Sequence, residues 1–159
     1  MTEWLTGEQQ RHWRAWIAAN ALLTEAFSRD LQESHGLTMA DYEILVRLSE
    51  SGSNECANSD QRMRMSELAE ATLSSRSRLS HQIDRMEHEG LVERVPCTDD
   101  KRGYFAALTP KGWDTLVAAA PSHVDSVRTR IVDVLTPGEF AALGVTSQKL
   151  LDALDSEPS

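Results

Sequence analysis

Cysteine is nearly absent: Cys56 and Cys97 are the two in 159 residues, and no Cys-x-x-Cys spacing occurs. A disulfide-dense scaffold and a four-cysteine zinc site are excluded by that count. Both thiols are read as free, with a redox role open only at Cys97 near Arg94. The histidines, His12, His35, His81, His88 and His123, lack the spacing of a structural metal site, so no metal is expected. No apolar run reaches the roughly 18 residues of a membrane helix and no signal-type segment is recognisable, which points to a cytoplasmic protein. Positive charge is also short: 16 Lys and Arg face 25 Asp and Glu, a net charge of −9. Any binding to nucleic acid therefore has to come from a local concentration of bases. Residues 61–104 hold 8 of the 16 Lys and Arg together with 8 acids, whereas residues 1–60 carry 4 against 10 and residues 105–159 carry 4 against 7. At 40% hydrophobic content the chain is one domain's worth and large enough for its own core.

Residues 65–108 carry the strongest local pattern. Ser66 reads as the N-cap of a short helix running through Leu73, in which Leu68, Ala69 and Thr72 share a face. Ser74 and Ser75 end that helix and cap the next. In the second helix Leu79, Ile83 and Met86 form a narrow apolar stripe; Ser77, His81, Asp84 and His88 point the opposite way, with Arg78 and Arg85 on a flank. Gly90 closes the helix. Residues 91–95 read as a strand, residues 96–103 as a charged turn and residues 104–108 as a returning strand. Helix, tight turn, helix and hairpin in that order is the layout of a winged helix-turn-helix, whose second helix suits a DNA major groove. Arg76, Arg78, Gln82 and Arg85 are of the type that contacts base edges, with His81 on the same outward face. Ser74, Ser75 and Ser77, with the helix N-terminal amides, suit phosphates. At the hairpin tip Arg102 is read into the minor groove and Lys101 onto phosphate. Binding would require Glu67, Glu70, Glu87 and Glu89 to be turned away from DNA, with modest and steeply salt-dependent affinity.

These residues carry a resemblance. Gly36-Leu37-Thr38 with Asp41-Tyr42-Glu43-Ile44-Leu45, Met65-Ser66-Glu67-Leu68-Ala69, Ser77-Arg78-Leu79-Ser80-His81-Gln82 with Arg85-Met86-Glu87 and Gly90-Leu91-Val92, and Asp100-Lys101-Arg102-Gly103 with Leu108-Thr109 and Gly112 together resemble MarR-type transcriptional regulators of the form common in actinobacteria. The resemblance spans essentially the whole chain. It implies a homodimer of helical, winged subunits that binds a pseudo-palindromic double-stranded DNA operator, usually as a repressor, and is released by a small phenolic or lipophilic ligand. Residues 50–64 form a longer polar stretch than the family usually has there and read as a surface loop insertion.

The expected fold is mainly α with a small β-hairpin wing, one domain over residues 1–159. Residues 37–109 form the winged-helix region, and residues 1–36 and 110–159 supply dimerisation helices. Thr6-Gly7-Glu8-Gln9 reads as a capping box for a long helix carrying Trp13, Trp16, Ile17, Leu23, Phe27 and Leu31 and ending near His35-Gly36. Thr38 caps the next, with Tyr42, Leu45, Val46 and Leu48 as its apolar set. Thr109-Pro110 and Thr136-Pro137-Gly138-Glu139 start two more helices, the last offering Phe140, Leu143, Leu150, Leu151 and Leu154. Two apolar terminal helices are most economically paired across a two-fold axis. By resemblance a ligand pocket would lie near that interface, with His12, Trp13, Arg14, Trp16 and Tyr42 as aromatic walls and polar anchors. Plain core is the competing reading of these aromatics.

Two other functional classes stay open. The acidic balance permits a winged module that binds protein. A hydrolase would need Ser80, His81 and Asp84, whose side chains fan over more than a quarter turn with no oxyanion element, so neither catalytic residues nor a cofactor are expected.

Overall fold

The computed structural model describes residues 2–51, 61–97 and 103–155. Its elements run α1 (Gly7–His35), α2 (Met39–Ser51), β1 (Arg62–Arg64), α3 (Met65–Ala71), α4 (Arg76–His88), β2 (Val92–Pro96), β3 (Tyr104–Leu108), α5 (Pro110–Val127), a π-helical turn (Arg128–Val132) and α6 (Pro137–Asp155). The chain divides into two compact units, residues 1–121 and 122–159, with the boundary at Pro121 inside α5.

Helix starts follow the hydroxyl signals. Thr6 and Gln9 exchange backbone-to-side-chain bonds at 3.2 and 2.8 Å to open α1. Thr136 and Glu139 do the same for α6. Gly36 ends α1 in the left-handed region at φ 68°, a conformation that a Cβ would penalise, and sends its N–H back to the Gln32 carbonyl.

The core of the first unit forms where α2, α3 and α4 turn their apolar stripes onto the sheet. Leu31, Leu37, Leu45, Leu48, Leu68, Leu79, Ile83, Met86 and Val92 are almost wholly buried there. Each such side chain contributes roughly 1.5–3 kcal/mol by leaving water. The hairpin is joined by a third strand, giving an antiparallel sheet in the order β1-β3-β2.

That third strand corrects the sequence reading, which placed residues 62–64 in a loop. Three residues with two arginines show no strand periodicity. They pair because β3 offers an open edge, Arg62 opposite Ala107 and Arg64 opposite Phe105. The pairing also stacks both guanidiniums over the Phe105 ring, at 4.9 and 5.3 Å from its centroid. Four boundaries shift as well. Helix α3 begins directly out of β1, so Ser66 lies inside it and the cap falls on Arg64, whose N–H donates to Glu67 at 3.3 Å. It also ends at Ala71, and Leu73 stands beyond it with φ 50°. Strand β2 starts at Val92, because the Leu91 N–H is taken by the Met86 carbonyl at the end of α4. Pro96 is tolerated in β2 as an edge-strand residue.

Candidate nucleic-acid interface

Helix α4 is held in place on three sides. Leu79, Ile83 and Met86 anchor it to the core. At about 100° per residue that stripe fixes the remaining directions. Ser77, His81, Asp84 and His88 face away from the core and are exposed. Gln82 and Arg85 lie on the flank toward α2, and Ser80 and Glu87 on the flank toward β2.

The α2 flank is organised by one carboxylate. Asp41, 2% exposed, accepts the Thr38 N–H at 2.8 Å and the Thr38 hydroxyl at 2.6 Å, completing the α2 cap. Its oxygens also accept Arg85 Nη2 at 2.5 and 2.7 Å, and Gln82 Nε2 donates to the same group. On the opposite flank Arg94 plays the converse part. Its Nη1 meets Asp84 at 2.7 Å and Glu87 at 2.8 Å, and its Nη2 donates to the Ser80 carbonyl at 3.2 Å. Two of the acids whose charge opposes DNA are thereby occupied: Glu87 by Arg94, and Glu67 by the Arg64 N–H.

The turn into α4 carries the hydroxyls. Ser75 is the N-cap and its oxygen accepts the Arg78 N–H at 3.2 Å. Ser74 is half-buried, its N–H bonded to the Ala69 carbonyl and its hydroxyl to the Thr72 carbonyl. Arg76, Ser77, Arg78 and His81 are exposed, and among the described residues the Arg76 and Arg78 side chains form no ion pair. Of the sequence-derived set, the fold thus brings Ser75, Arg76, Ser77, Arg78 and His81 together on open surface. It engages Gln82 and Arg85 internally. Lys101 and Arg102 lie outside the described residues. Sequence reasoning missed Asp41 and Arg94; the one available signal was Asp41 three residues after Thr38, which reads as an ordinary cap.

Concave surface flanks α4 on both sides. A cleft of about 500 Å³ between α3, α4 and the base of the hairpin is lined by Arg64, Arg76, Arg94 and Tyr104. A smaller one of about 210 Å³ opens between α2 and α4, lined by Glu43, Thr72, Arg78 and Gln82. The residues read as a ligand pocket are dispersed in character. Trp13 and Trp16 contact each other with centroids 5.4 Å apart but are about half exposed. His12 lies 3.6 Å from Glu8, and Arg14 is exposed. Tyr42 is buried, and burial, with Glu43 beside it, pushes its hydroxyl above the ordinary 10.0.

Comparison with known proteins identifies this arrangement. The MarR family pattern matches residues 37–104, from the start of α2 to the start of β3. AbsC, a MarR family transcriptional regulator from Streptomyces coelicolor, is 46% identical over 98% of this chain and all of its own, with a TM-score of 0.89. The chain belongs to the MarR family. A second Streptomyces coelicolor member, solved in complex with DNA, is 40% identical to this MarR family protein, covering all of it and 94% of the other chain, with a TM-score of 0.91. PecS from Dickeya dadantii, an HTH-type transcriptional regulator, is 24% identical over 124 residues, 78% of this chain and 66% of its own length. These relatives are transcriptional regulators. No described helix is long and apolar enough to cross a membrane.

Proposed function

We propose that this MarR family protein is a homodimeric repressor that binds a pseudo-palindromic operator through α4 and is released by a small aromatic or lipophilic ligand. The observation that carries the reading is α4 itself: a helix fixed by its core stripe and braced on both flanks, presenting Ser77, Arg78 and His81 on open surface. Arg78 reads guanine in the major groove. Ser75, Arg76 and the first-turn amides of α4 hold phosphate, while Ser74, whose donors are taken by the Ala69 and Thr72 carbonyls, shapes the turn; Lys101 and Arg102 take phosphate and minor groove. Support also comes from the 40% identical relative solved with DNA.

The dimer reading rests on apolar side chains that the single chain leaves in water. On α6 Phe140, Leu143, Leu150, Leu151 and Leu154 are 40–63% exposed. On α1 Trp13, Trp16 and Ile17 are about half exposed. Residues 1–36 and 110–159 accordingly serve as dimerisation helices of one MarR-like domain, and pairing them sets two α4 helices about one DNA turn apart. An aromatic effector has two places to act: the Trp13/Trp16 region with His12 and Arg14 adjacent in sequence and Tyr42 contributed from α2, as the family resemblance suggests, and the arginine-lined cleft beside Tyr104, whose volume is in the range of small-ligand sites. Ligand acts by changing the spacing of the recognition helices.

The test is salt-dependent binding to DNA from immediately upstream of the protein's own gene against scrambled DNA of equal length. Arg78→Ala should lose about 1–3 kcal/mol of discrimination, and Arg102→Ala should weaken binding and flatten the salt dependence. Equal affinity for both DNAs at low salt, with no site recovered by selection from random DNA, refutes the reading in favour of a protein-binding module.

A further inference from the structure

Gln82 and Arg85 have side chains of the two types that read bases bidentately, yet one buried carboxylate engages both of them. A glutamine reads adenine by donating from its amide NH2 while accepting at its oxygen, and an arginine reads guanine by donating from two guanidinium nitrogens in a fork. Asp41 takes the Gln82 NH2, and with its two oxygens it takes Nη2 of Arg85. Each residue is left with half of its reading geometry. The carboxylate is 2% exposed while the Arg85 side chain is 43% exposed, so the pair straddles the surface at the rim of the face that carries Arg78 and His81. Thr38 locks the arrangement from the other side through its N–H and hydroxyl, which makes the position of Asp41 part of the α2 start. Helix α2 is thus tied to the recognition helix by charge across more than 40 residues of sequence.

We propose that Asp41 is a positioning residue for operator selectivity: by drawing Arg85 and Gln82 back onto α2 it keeps a cation and a base-reading amide off the DNA, leaving Ser77, Arg78 and His81 to choose the sequence. The proposal rests on the DNA-reading role of α4. Neutralising Asp41 releases Arg85 at the rim of the groove face, where it gains phosphate on any DNA. Affinity for scrambled DNA then rises more than affinity for the operator, and selectivity falls.

The experiment compares Asp41→Asn, Arg85→Met and the double variant, each titrated with operator and scrambled duplex over a range of salt. Asn keeps the size of Asp and an acceptor for the Thr38 cap. Asp41→Asn should tighten scrambled-DNA binding at least ~3-fold and steepen the log-log salt slope by about 0.9, the signature of one added phosphate contact. Arg85→Met in that background should restore both slope and selectivity, and Arg85→Met alone should leave operator affinity within about 2-fold with an unchanged slope. A structural role alone would move thermal stability and lower both affinities together. The proposal is overturned if Arg85→Met alone loses about tenfold in operator affinity with a shallower slope, since Arg85 would then touch DNA in the native protein. It is equally overturned if Asp41→Asn weakens both DNAs in parallel. Should Asp41→Asn fail to fold, the Arg85→Met titration decides by itself. Native protein that shows no preference for any operator overturns the DNA reading, and this proposal falls with it.

Discussion

Gly112 sits where the first turn of α5 passes over the end of α4, and replacing it with alanine tests the packing of that junction. An added Cβ would stand 2.0 Å from the Leu91 carbonyl oxygen and 2.9 Å from Leu108 Cδ1. To reach even a tight 3.0 Å contact, the helix and the carbonyl must separate by at least 1 Å. That carbonyl is not free to move. It accepts the Thr109 N–H at 3.2 Å and the Thr109 hydroxyl at 3.0 Å, and the same hydroxyl accepts the Gly112 N–H at 3.0 Å. A displacement of this size breaks bonds worth about 1 kcal/mol each and adds overpacking of about 1–3 kcal/mol. Alanine's helix preference returns up to about 1 kcal/mol. The net expectation is a loss of about 2–4 kcal/mol, which for a chain of this length lowers Tm by about 5–15 °C. Thermal unfolding followed by circular dichroism at matched protein concentration measures it. A Tm within about 2 °C of the native value would show that the junction yields without strain and would refute the reasoning.

Arg94→Ala removes the cation shared by Asp84, Glu87 and the Ser80 carbonyl; because the two acids are partly exposed, a screened loss of about 1–2 kcal/mol is expected in urea unfolding, with Arg94→Lys recovering part of it. The Glu139 carboxyl is held below its ordinary 4.5, first by the Thr136 backbone N–H and then by the Thr136 hydroxyl. Its folded-state value being the lower one, the cap's contribution is present above about pH 4.5 and disappears as pH falls through the depressed value; the protection of the first α6 amides, relative to intrinsic exchange at each pH, should therefore fall on acidification, and Glu139→Gln should remove that loss. Aspartate at Leu150 and Leu154 together should convert a dimer to monomer in sedimentation equilibrium with little change in helicity of the dissociated chain; native protein that sediments as a monomer at micromolar concentration would sink the dimer reading.

Local signals in the sequence were legible wherever the chain's neighbours decide the conformation. The capping boxes at Thr6 and Thr136, the stop at Gly36, the Leu79-Ile83-Met86 stripe and the Tyr104–Leu108 strand all stand where the spacing of hydroxyls, glycines and apolar residues put them. Strand β1 was not legible, because its three residues become a strand only through the open edge of β3 and the Phe105 ring. The start of α3 was misplaced for the same reason, since the preceding strand delivers the chain directly into the helix. Within the candidate interface, residue type showed which side chains have the chemistry to contact DNA. It did not show which of them are already engaged, as the shared partner Asp41 lies more than 40 positions away.

The sequence by itself determined the order of the helices and of the two hairpin strands, the recognition helix and its apolar stripe, because helix periodicity and capping operate within a few residues. Only the tertiary structure decided that the wing has a third strand, that Arg94 pairs with the acids Asp84 and Glu87 of the recognition helix, and that Gln82 and the partly exposed Arg85 are engaged by Asp41. Each of those outcomes is a contact between different elements, beyond the reach of helix periodicity and capping, and a charged side chain takes its partner from whatever the packed core brings within about 3 Å, which no local pattern records.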